Sequence, residues 1–254
     1  MKKLFNKVAV VTGAGSGIGR AIAQAFAAEG CKVMVSDINP ERVQETVDAI
    51  RSSGNEATGL IANMAEQKDA EALIDAAVNT YGSLDILVNN AGVMDNFEPV
   101  GLVENNTWDR VMKVNVDGPF FAMRKAVQYF TTRGSGNIIN ICSIGGIKGG
   151  VAGAAYTTSK HALIGLTKST GYMYAKTGIR CNGIAPGAVE TRISETIDMT
   201  NIPPLAQERI MPGMALNPRS GKPEEIAQAA LFLASDASSF VNGHILVADG
   251  GWTA

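Results

Sequence analysis

The chain has 254 residues, of which 46% are hydrophobic and 18% charged, with a net charge of −2 at neutral pH. That length fits one large domain or two small ones, and α/β folds commonly run to it as a single unit with a full core; the near-neutral charge argues against nucleic acid as a partner. The N-terminal Met-Lys-Lys-Leu-Phe-Asn-Lys leads into no signal-peptide core and no stretch is long enough to span a bilayer, so a cytoplasmic protein without a membrane partner is expected. Cys31, Cys142 and Cys181 are widely spaced and suit buried thiols better than a disulfide framework. His161 and His244 stand far apart with no ligand cluster near either, so no metal is expected.

Along the chain, short runs rich in β-branched residues alternate with longer amphipathic stretches. Residues 7–12, 32–36, 56–61, 85–89, 137–142, 180–185 and 244–248 are predicted strands, with helices in the gaps. Val8-Ala9-Val10-Val11 and Ile138-Ile139-Asn140-Ile141 are apolar almost throughout, as strands covered on both faces must be. Right-handed crossovers then restrict the topology to an α/β, Rossmann-like, doubly wound parallel sheet of about seven strands with helices on both faces. No linker interrupts residues 1–254, which read as a single domain. Ligands on such sheets bind beyond the carboxyl ends of the strands, so the residues that follow each strand carry the functional reading.

The first strand is followed by Thr12-Gly13-Ala14-Gly15-Ser16-Gly17-Ile18-Gly19, ahead of a predicted helix over 18–29. Glycines in that context permit a tight turn and close backbone approach to a pyrophosphate at the helix N-terminus. A plain strand-to-helix turn could use them too, and the spacing is one residue wider at its start than the usual dinucleotide fingerprint. The phosphate cradle is favoured, with Gly13, Ser16, Gly17, Ile18 and Gly19 as candidate contacts. Asp37 ends the second strand eighteen positions past Gly19, where a carboxylate accepts bonds from both adenosine ribose hydroxyls and repels a 2′-phosphate. Neither Ser16 nor Ile38 is basic, so NAD(H) is expected over NADP(H). The alternative for Asp37 is a helix N-cap, a role that Asn39, just before Pro40, suits better.

Farther along, Ser143 ends the strand at 137–142, and Tyr156 and Lys160 lie four apart in a predicted helix over 154–177. Residues at that spacing share a helix face, and an ammonium beside a phenol lowers its pKa toward neutrality. The result is a proton donor able to act on a carbonyl. Spacing alone does not single out this pair, because Tyr172 and Lys176 repeat it, and Ser159 stands thirteen residues before Tyr172 as Ser143 does before Tyr156. Position separates them: Ser143 ends a strand, whereas Ser159 shares a helix with Tyr156 and cannot face Tyr172 across a cleft. Sixteen residues of continuous helix separate the tyrosines by roughly 24 Å and about 160°, so Tyr172 is expected in core or interface. Residues 190–219, with prolines at 203, 204, 212 and 218 and methionines at 199, 211 and 214, read as a substrate loop or lid, or else a surface excursion.

These motifs, in this order, resemble the short-chain dehydrogenase/reductase family across essentially the whole chain. The residues that carry the resemblance are Thr12-Gly-x-x-x-Gly-x-Gly19, Asn89-Asn90-Ala91-Gly92, Asn115 in Lys-Val-Asn-Val, Ser143, Tyr156-x-x-x-Lys160, Pro186-Gly187 with Thr191, and Asp249-Gly250-Gly251. The resemblance implies Tyr156 as general acid/base and Ser143 as the group that holds the substrate oxygen. It implies that Lys160 keeps the tyrosinate accessible and bonds the nicotinamide ribose, and that Asn115 anchors a water linking Lys160 to solvent. Without it, Asn115 reads as a polar residue that bends or caps a helix. By the same resemblance Asn89, Ala91 and Gly92 shape the adenosine-ribose side and steady the central sheet, while Pro186, Gly187, Val189 and Thr191 hold the nicotinamide carboxamide. Asn63-Met64 stands where the family usually has Asp-Val or Asp-Leu, and an Asn can still accept a bond from the adenine amine.

The expected function is therefore NAD(H)-dependent interconversion of a secondary alcohol and a ketone, with substrate walls at 94–97, 145–151 and 190–219. These walls are largely apolar or small and no arginine cluster accompanies them, which favours a weakly charged substrate. The enzymatic alternatives are a 3-oxoacyl-thioester (acyl-carrier-protein) reductase and a sugar or polyol dehydrogenase; the non-enzymatic one is an NAD-sensing or scaffold protein. The resemblance also implies a homotetramer, with predicted helices over 106–132 and 154–177 at one interface. Phe120, Phe121, Tyr129 and Phe130 could bury that face or belong to the core.

Overall fold

Seven strands make one parallel sheet in the order β3-β2-β1-β4-β5-β6-β7. They are β1 (Val8–Thr12), β2 (Lys32–Asp37), β3 (Ala57–Ile61), β4 (Ile86–Asn89), β5 (Gly136–Ile141), β6 (Ile179–Pro186) and β7 (Ile245–Ala248). The structure is a computed structural model that describes residues 2–198 and 200–254. The continuous apolar strands are explained by their pleat, since successive side chains point to opposite faces. Met34, Val10, Leu87, Ile138 and Cys181 stand in register across five strands. They pack with helices α3 (Gln67–Tyr81) and α5 (Gly118–Arg133). Their neighbours Val33, Val35, Ala9, Val11, Ile86, Val88, Ile139 and Ile184 pack on the other face with α1 (Gly17–Ala28), α2 (Pro40–Ser52) and α9 (Pro223–Ala234). Both faces are dry, so neither could alternate with polar residues.

The helices follow the same logic. Val43, Val47 and Ile50 recur at helical spacing on the buried side of α2. Its N-terminus is closed by Asn39, whose side chain accepts from the Arg42 amide at 3.0 Å, with Pro40 at the first helical position. Asn39, rather than Asp37, is thus the cap. All three cysteines are buried. Among the described residues, no helix is long and apolar enough to cross a membrane.

Three elements differ from expectation. The single helix predicted over 106–132 is split into α4 (Asn105–Met112), a π-helical turn at Lys113–Asp117, and α5. Pro119 has no N–H to give the carbonyl four residues back, that of Asn115, and Gly118 is pressed so closely on the Met64 carbonyl that a Cβ could not fit there. The helix predicted over 154–177 is continuous only as α6 (Ala154–Met173), its tail tightening into a 3-10 turn at Ala175–Thr177. The segment 190–219 is less irregular than its prolines suggested. It holds a 3-10 turn at Arg192–Thr196, α7 (Pro204–Arg209) and α8 (Met211–Met214), because proline breaks helix interiors but starts helices well. Met199, one of the methionines of that segment, lies outside the described residues.

The strand order reverses between β1 and β4, each of which has neighbours running away in opposite directions. The connections diverge there and leave a crevice beyond the carboxyl ends of the strands. The glycine loop after β1 and Asn89-Asn90-Ala91-Gly92 after β4 both open onto it.

Candidate active site

The glycine loop is held in shape by the end of β4. Gly13 has φ +60°, and a Cβ there would sit 2.8 Å from the Ala91 Cα, so only glycine fits this turn. A Cβ on Gly19 would overlap the Gly13 carbonyl and the Asn90 side chain. Asn90 donates from Nδ2 to the carbonyls of Thr12 at 2.9 Å and Gly13 at 3.0 Å. The Thr12 hydroxyl accepts from the amides of Asn90 and Ala91, both at 3.0 Å, and donates to Val88. Loop and strand are thereby locked together across the switch point. Ser16 stands at the N-cap of α1 but makes no capping bond, and the first turn carries no acid. The first amides of α1, those of Gly17 and Ile18 among them, are left without a side-chain acceptor, as a helix terminus suited to a phosphate requires.

Asp37 ends β2 directly beneath this loop. Its carboxylate accepts from the Gly15 amide at 3.0 Å and the Asn39 amide at 3.1 Å, leaving lone pairs for a sugar hydroxyl. Two arginines stand nearby that the sequence reading did not weigh. Arg20 donates to the Gly15 carbonyl and pairs with Glu45, while Arg42 reaches Glu195 at 3.4 Å. Met64 is buried, and Asn63 accepts from the Ala65 amide at 3.0 Å, which engages one lone pair of its side-chain oxygen. Asn89 points into the sheet, not into the crevice: it is buried and donates to Asn140 at 2.8 Å. On the far side, Pro186 ends β6 beside Ala248, Gly187 is too close to Asp249 for a side chain, and Val189 bridges to Gly221. Thr191 closes the circle, since a Cβ on Gly17 would lie 3.1 Å from its side chain.

Ser143, Tyr156 and Lys160 converge where β5 ends. A Cβ on Gly145 would be 3.4 Å from each of Ser143 Oγ, Tyr156 Cε1 and Val151 Cγ2, so serine, phenol and one expected wall share a single small volume. Tyr156 is 7% exposed and Lys160 4%. The ammonium lies 5.6 Å from the tyrosine ring centroid and donates to the Ile141 carbonyl at 2.9 Å. One acceptor for three donors leaves Lys160 able to bond a ligand hydroxyl. Gly92 and Asn115 adjoin it, with a Cβ on Gly92 3.6 Å from Nζ and 3.3 Å from Asn115 Oδ1. Asn115 sits in the π-helical turn and clasps Val93 through both its carbonyl and its amide, each at 2.9 Å. Its Nδ2 also donates to Ser159 at 3.0 Å, and Ser159 donates to the Tyr156 carbonyl at 2.7 Å.

The pKa balance departs from the expected one. Burial pushes the Tyr156 phenol up to about 12, with Asp95 and Cys142 adding to the rise and the Ser143 hydroxyl opposing it. Burial brings Lys160 down to about 8. Desolvation is the largest cause of both shifts, and it keeps the phenol neutral. Spacing reports which groups are neighbours but not how dry they are.

Two of the three expected wall segments meet in an apolar cluster. Phe97, Ala206 and Ile210 are buried together, with Met94, Ile197, Ile202, Met211 and Met214 packed around them, so the 94–97 loop and the 190–219 segment form one surface. Phe97 adopts φ +60°, a conformation that costs a bulky residue about 1–3 kcal/mol. Trp252 fastens α8 by donating to the Gly213 carbonyl at 3.0 Å. Tyr172, by contrast, is 83% exposed and takes no part.

Sequence reasoning missed four participants. Thr12 and Asn90 stood inside the quoted motifs but carried no assigned role. Ser159 was set aside as a partner of Tyr172, yet it supports Tyr156. Asp95 had no signal, because two of its three partners are backbone amides far away in the chain.

The sequence profile of the family described as Enoyl-(Acyl carrier protein) reductase matches residues 13–253. A 3beta-hydroxysteroid dehydrogenase 2 of Eggerthella lenta is 42% identical over 252 residues, covering 99% of this chain and 96% of that protein. A cyclohexanol dehydrogenase of Acinetobacter is 39% identical over 254 residues, covering 99% and 96%. Among solved structures, a Beutenbergia cavernae protein described as a candidate NAD(P) dependent gluconate 5-dehydrogenase, with NADP bound at low occupancy, superposes with a TM-score of 0.87. It is 36% identical, and the match covers 98% of each chain. Profile, relatives and fold agree from end to end, and the chain belongs to the short-chain dehydrogenase/reductase family of oxidoreductases.

Proposed function

We propose that the protein interconverts a secondary alcohol and a ketone with NAD(H), using Tyr156 as general acid/base. The observation that carries this reading is the buried phenol of Tyr156, packed beside Ser143 and Lys160 at the end of β5. A nicotinamide dinucleotide, when bound, supplies or accepts the hydride. The residues suited to hold it are the uncapped N-terminus of α1, Asp37 for the adenosine ribose, Lys160 for the second ribose, and Gly187 to Thr191 for the carboxamide. In reduction, Ser143 donates a hydrogen bond to the ketone oxygen and Tyr156 gives that oxygen its proton. In oxidation, Tyr156 takes the proton back from the alcohol. Lys160, with a pKa brought down to about 8, holds positive charge beside the tyrosinate in the neutral range.

The partly buried Met94, Met211 and Met214, backed by the buried Phe97 and Ile210, suit a weakly charged, alicyclic substrate. The names of the steroid and cyclohexanol relatives point the same way. The test is a panel of steroid, cyclohexyl and linear secondary alcohols and ketones, with 3-oxoacyl thioesters and polyols included, assayed by nicotinamide absorbance. Cyclic substrates should be turned over fastest, and Tyr156→Phe should abolish it. Tight dinucleotide binding with no turnover across the panel would leave the sensing or scaffold reading standing instead.

Two observations favour NADP(H) as a second reading: Arg20 and Arg42 both adjoin Gly15, which Asp37 bonds, and two similar structures are described with bound NADP. Asp37→Ala separates the two. If the carboxylate selects NAD(H), the substitution raises its KM about tenfold and lets NADP(H) compete. We also infer a homotetramer, supported by the exposed Trp108, Phe120, Tyr172 and Met173 on α4, α5 and α6. Sedimentation at micromolar concentration checks it, and a monomer would count against it.

A further inference from the structure

We propose that Asp95 is a positioning residue that couples the lid over the substrate to the catalytic tyrosine. The proposal rests on the readings of Tyr156 as the acid/base and of residues 190–219 as the lid. Asp95 lies in the loop after β4 and is fully buried. Its carboxylate accepts from three backbone amides. Oδ1 takes those of Phe97 at 3.2 Å and Gly153 at 3.1 Å, and Oδ2 takes that of Tyr156 at 2.8 Å. A buried carboxylate is retained only where its hydrogen bonds are made, and these three join two separate segments. One is the N-terminus of α6, where a local Ser, Thr or Asp would ordinarily cap. Gly153 stands at that cap position instead, and a Cβ there would come within 2.5 Å of the Asp95 carboxylate. The cap is delivered from another element, and it is bonded to the catalytic residue itself.

The second segment is the loop that the lid grips. The Met94 amide donates to Thr196 Oγ1 at 3.2 Å, and Asn96 Oδ1 accepts from the Asp198 amide at 2.9 Å. Phe97, held at positive φ through its bond to Asp95, fills the cluster with Ala206 and Ile210. The Glu98 carbonyl accepts from the Ala154 amide at 2.9 Å. Residues 94–98 therefore form a strap with the lid on one side and the start of α6 on the other, and Asp95 is its only side chain bonded to the Tyr156 amide among the described residues. Closing the lid on substrate tightens the strap, and the strap sets the phenol.

Two variants test this by hydrogen exchange together with kinetics. Asp95→Asn presents an amide N–H to at least one donor that the carboxylate satisfied. It is expected to raise exchange across 153–158 and lower kcat tenfold or more, with less than a twofold change in KM for NAD(H). The titratable and charged groups facing the phenol are Lys160 from α6 itself, Cys142 beside Ser143, and Asp95 from the loop. Asp95 opposes phenol ionisation, so its neutralisation should also move the Tyr156 limb of the pH profile to lower pH. Thr196→Val cuts the strap at the lid, touching neither α6 nor the phenol, and should raise exchange at 153–158 as well. Exchange confined to 190–214 in Thr196→Val overturns the coupling, as does an unchanged kcat and pH limb in Asp95→Asn. If Asp95→Asn does not fold, Thr196→Val decides alone. Turnover within about tenfold of the parent in Tyr156→Phe would instead remove the acid/base reading, whatever the exchange pattern.

Discussion

The two ends of α6 carry the same spacing and opposite chemistry. Tyr156 and Lys160 are 7% and 4% exposed near its start, with a serine, a strand carbonyl and a buried carboxylate around them. Tyr172, one residue from its C-terminal end, is 83% exposed, and Lys176 belongs to the 3-10 turn that follows. Helical periodicity fixes which residues are neighbours. What they can do depends on what the rest of the fold brings against them. At the first end the carboxyl edge of the sheet supplies Ser143 and the Ile141 carbonyl, because β5 stops there; at the second end the phenol is exposed and none of the described residues hydrogen-bonds it.

The largest effect that could break this comparison is on turnover. Tyr156→Phe removes one oxygen from a site that is otherwise intact and should lower kcat/KM by about 10²–10⁴-fold, the range of a lost general acid. A residual rate within tenfold of the parent would mean that burial at the head of α6 has no catalytic meaning.

A second contrast lies in stability and concerns the lysines. Lys160 has been brought by burial from the ordinary 10.5 to about 8, which corresponds to roughly 3 kcal/mol of strain on the charged form. Below pH 8 folded and unfolded chains are both protonated and the cost is borne in full. As pH rises toward 10.5 the folded group has already lost its proton, and stability recovers. Lys160→Met should accordingly be more stable than the parent at neutral pH by up to roughly 3 kcal/mol, less the lost bond to Ile141. The gain should fade between pH 8 and 10.5. Denaturant unfolding at several pH values reads it directly, and a destabilised Lys160→Met at neutral pH would show that its hydrogen bond outweighs the desolvation.

Why some of this was readable from sequence and some was not follows from the kind of contact involved. The strands and their parallel arrangement were legible because most are short apolar runs alternating with longer amphipathic stretches. Their edges moved by only a residue, as at Val8 and Ile179. Ser143, Tyr156 and Lys160 were legible because their place after a strand, or at a helix start, is itself a sequence feature. The π-helical turn at Lys113–Asp117 was not, since it arises from Pro119 and from Gly118 meeting Met64 across the fold. Nor was Asp95, whose partners at Gly153 and Tyr156 are backbone amides 58 and 61 residues away. A backbone amide has no residue identity, so no pattern can announce it. The direction of the Tyr156 shift was misjudged for a related reason: an i, i+4 pair says nothing of how thoroughly both members are dried.

The serines extend the contrast at smaller magnitude. Ser159 matches Ser143 in its distance from a tyrosine, yet it accepts from Asn115 and donates to the Tyr156 carbonyl, fully buried. Ser159→Ala leaves the Asn115 amide with Val93 as its one remaining acceptor and should cost about 1–3 kcal/mol of stability. Any loss of kcat should be modest, because the phenol itself is untouched. Ser143→Ala should do the reverse, sparing stability and lowering kcat. Equal kinetic losses in the two variants would erase the distinction between the serine proposed to hold the substrate oxygen and the one that braces the helix.

The smallest effect is the most direct check on the second pair. Tyr172 has no partner opposite it among the described residues, so Tyr172→Phe and Lys176→Met should each stay within about 0.5 kcal/mol of the parent in stability and leave kcat unchanged within error. The exposed ring still has one way to matter, since Tyr172 and Met173 lie together on an uncovered surface of α6. If a second copy of the chain packs there, Tyr172→Phe remains silent, because the ring is kept, while Tyr172→Glu buries a charge and shifts the assembly toward smaller species in sedimentation. An unaltered sedimentation profile for Tyr172→Glu would leave that end of the helix in solvent. A kinetic penalty in Tyr172→Phe would be the more damaging result, because it would mean that spacing, and not surroundings, had selected a chemically active pair.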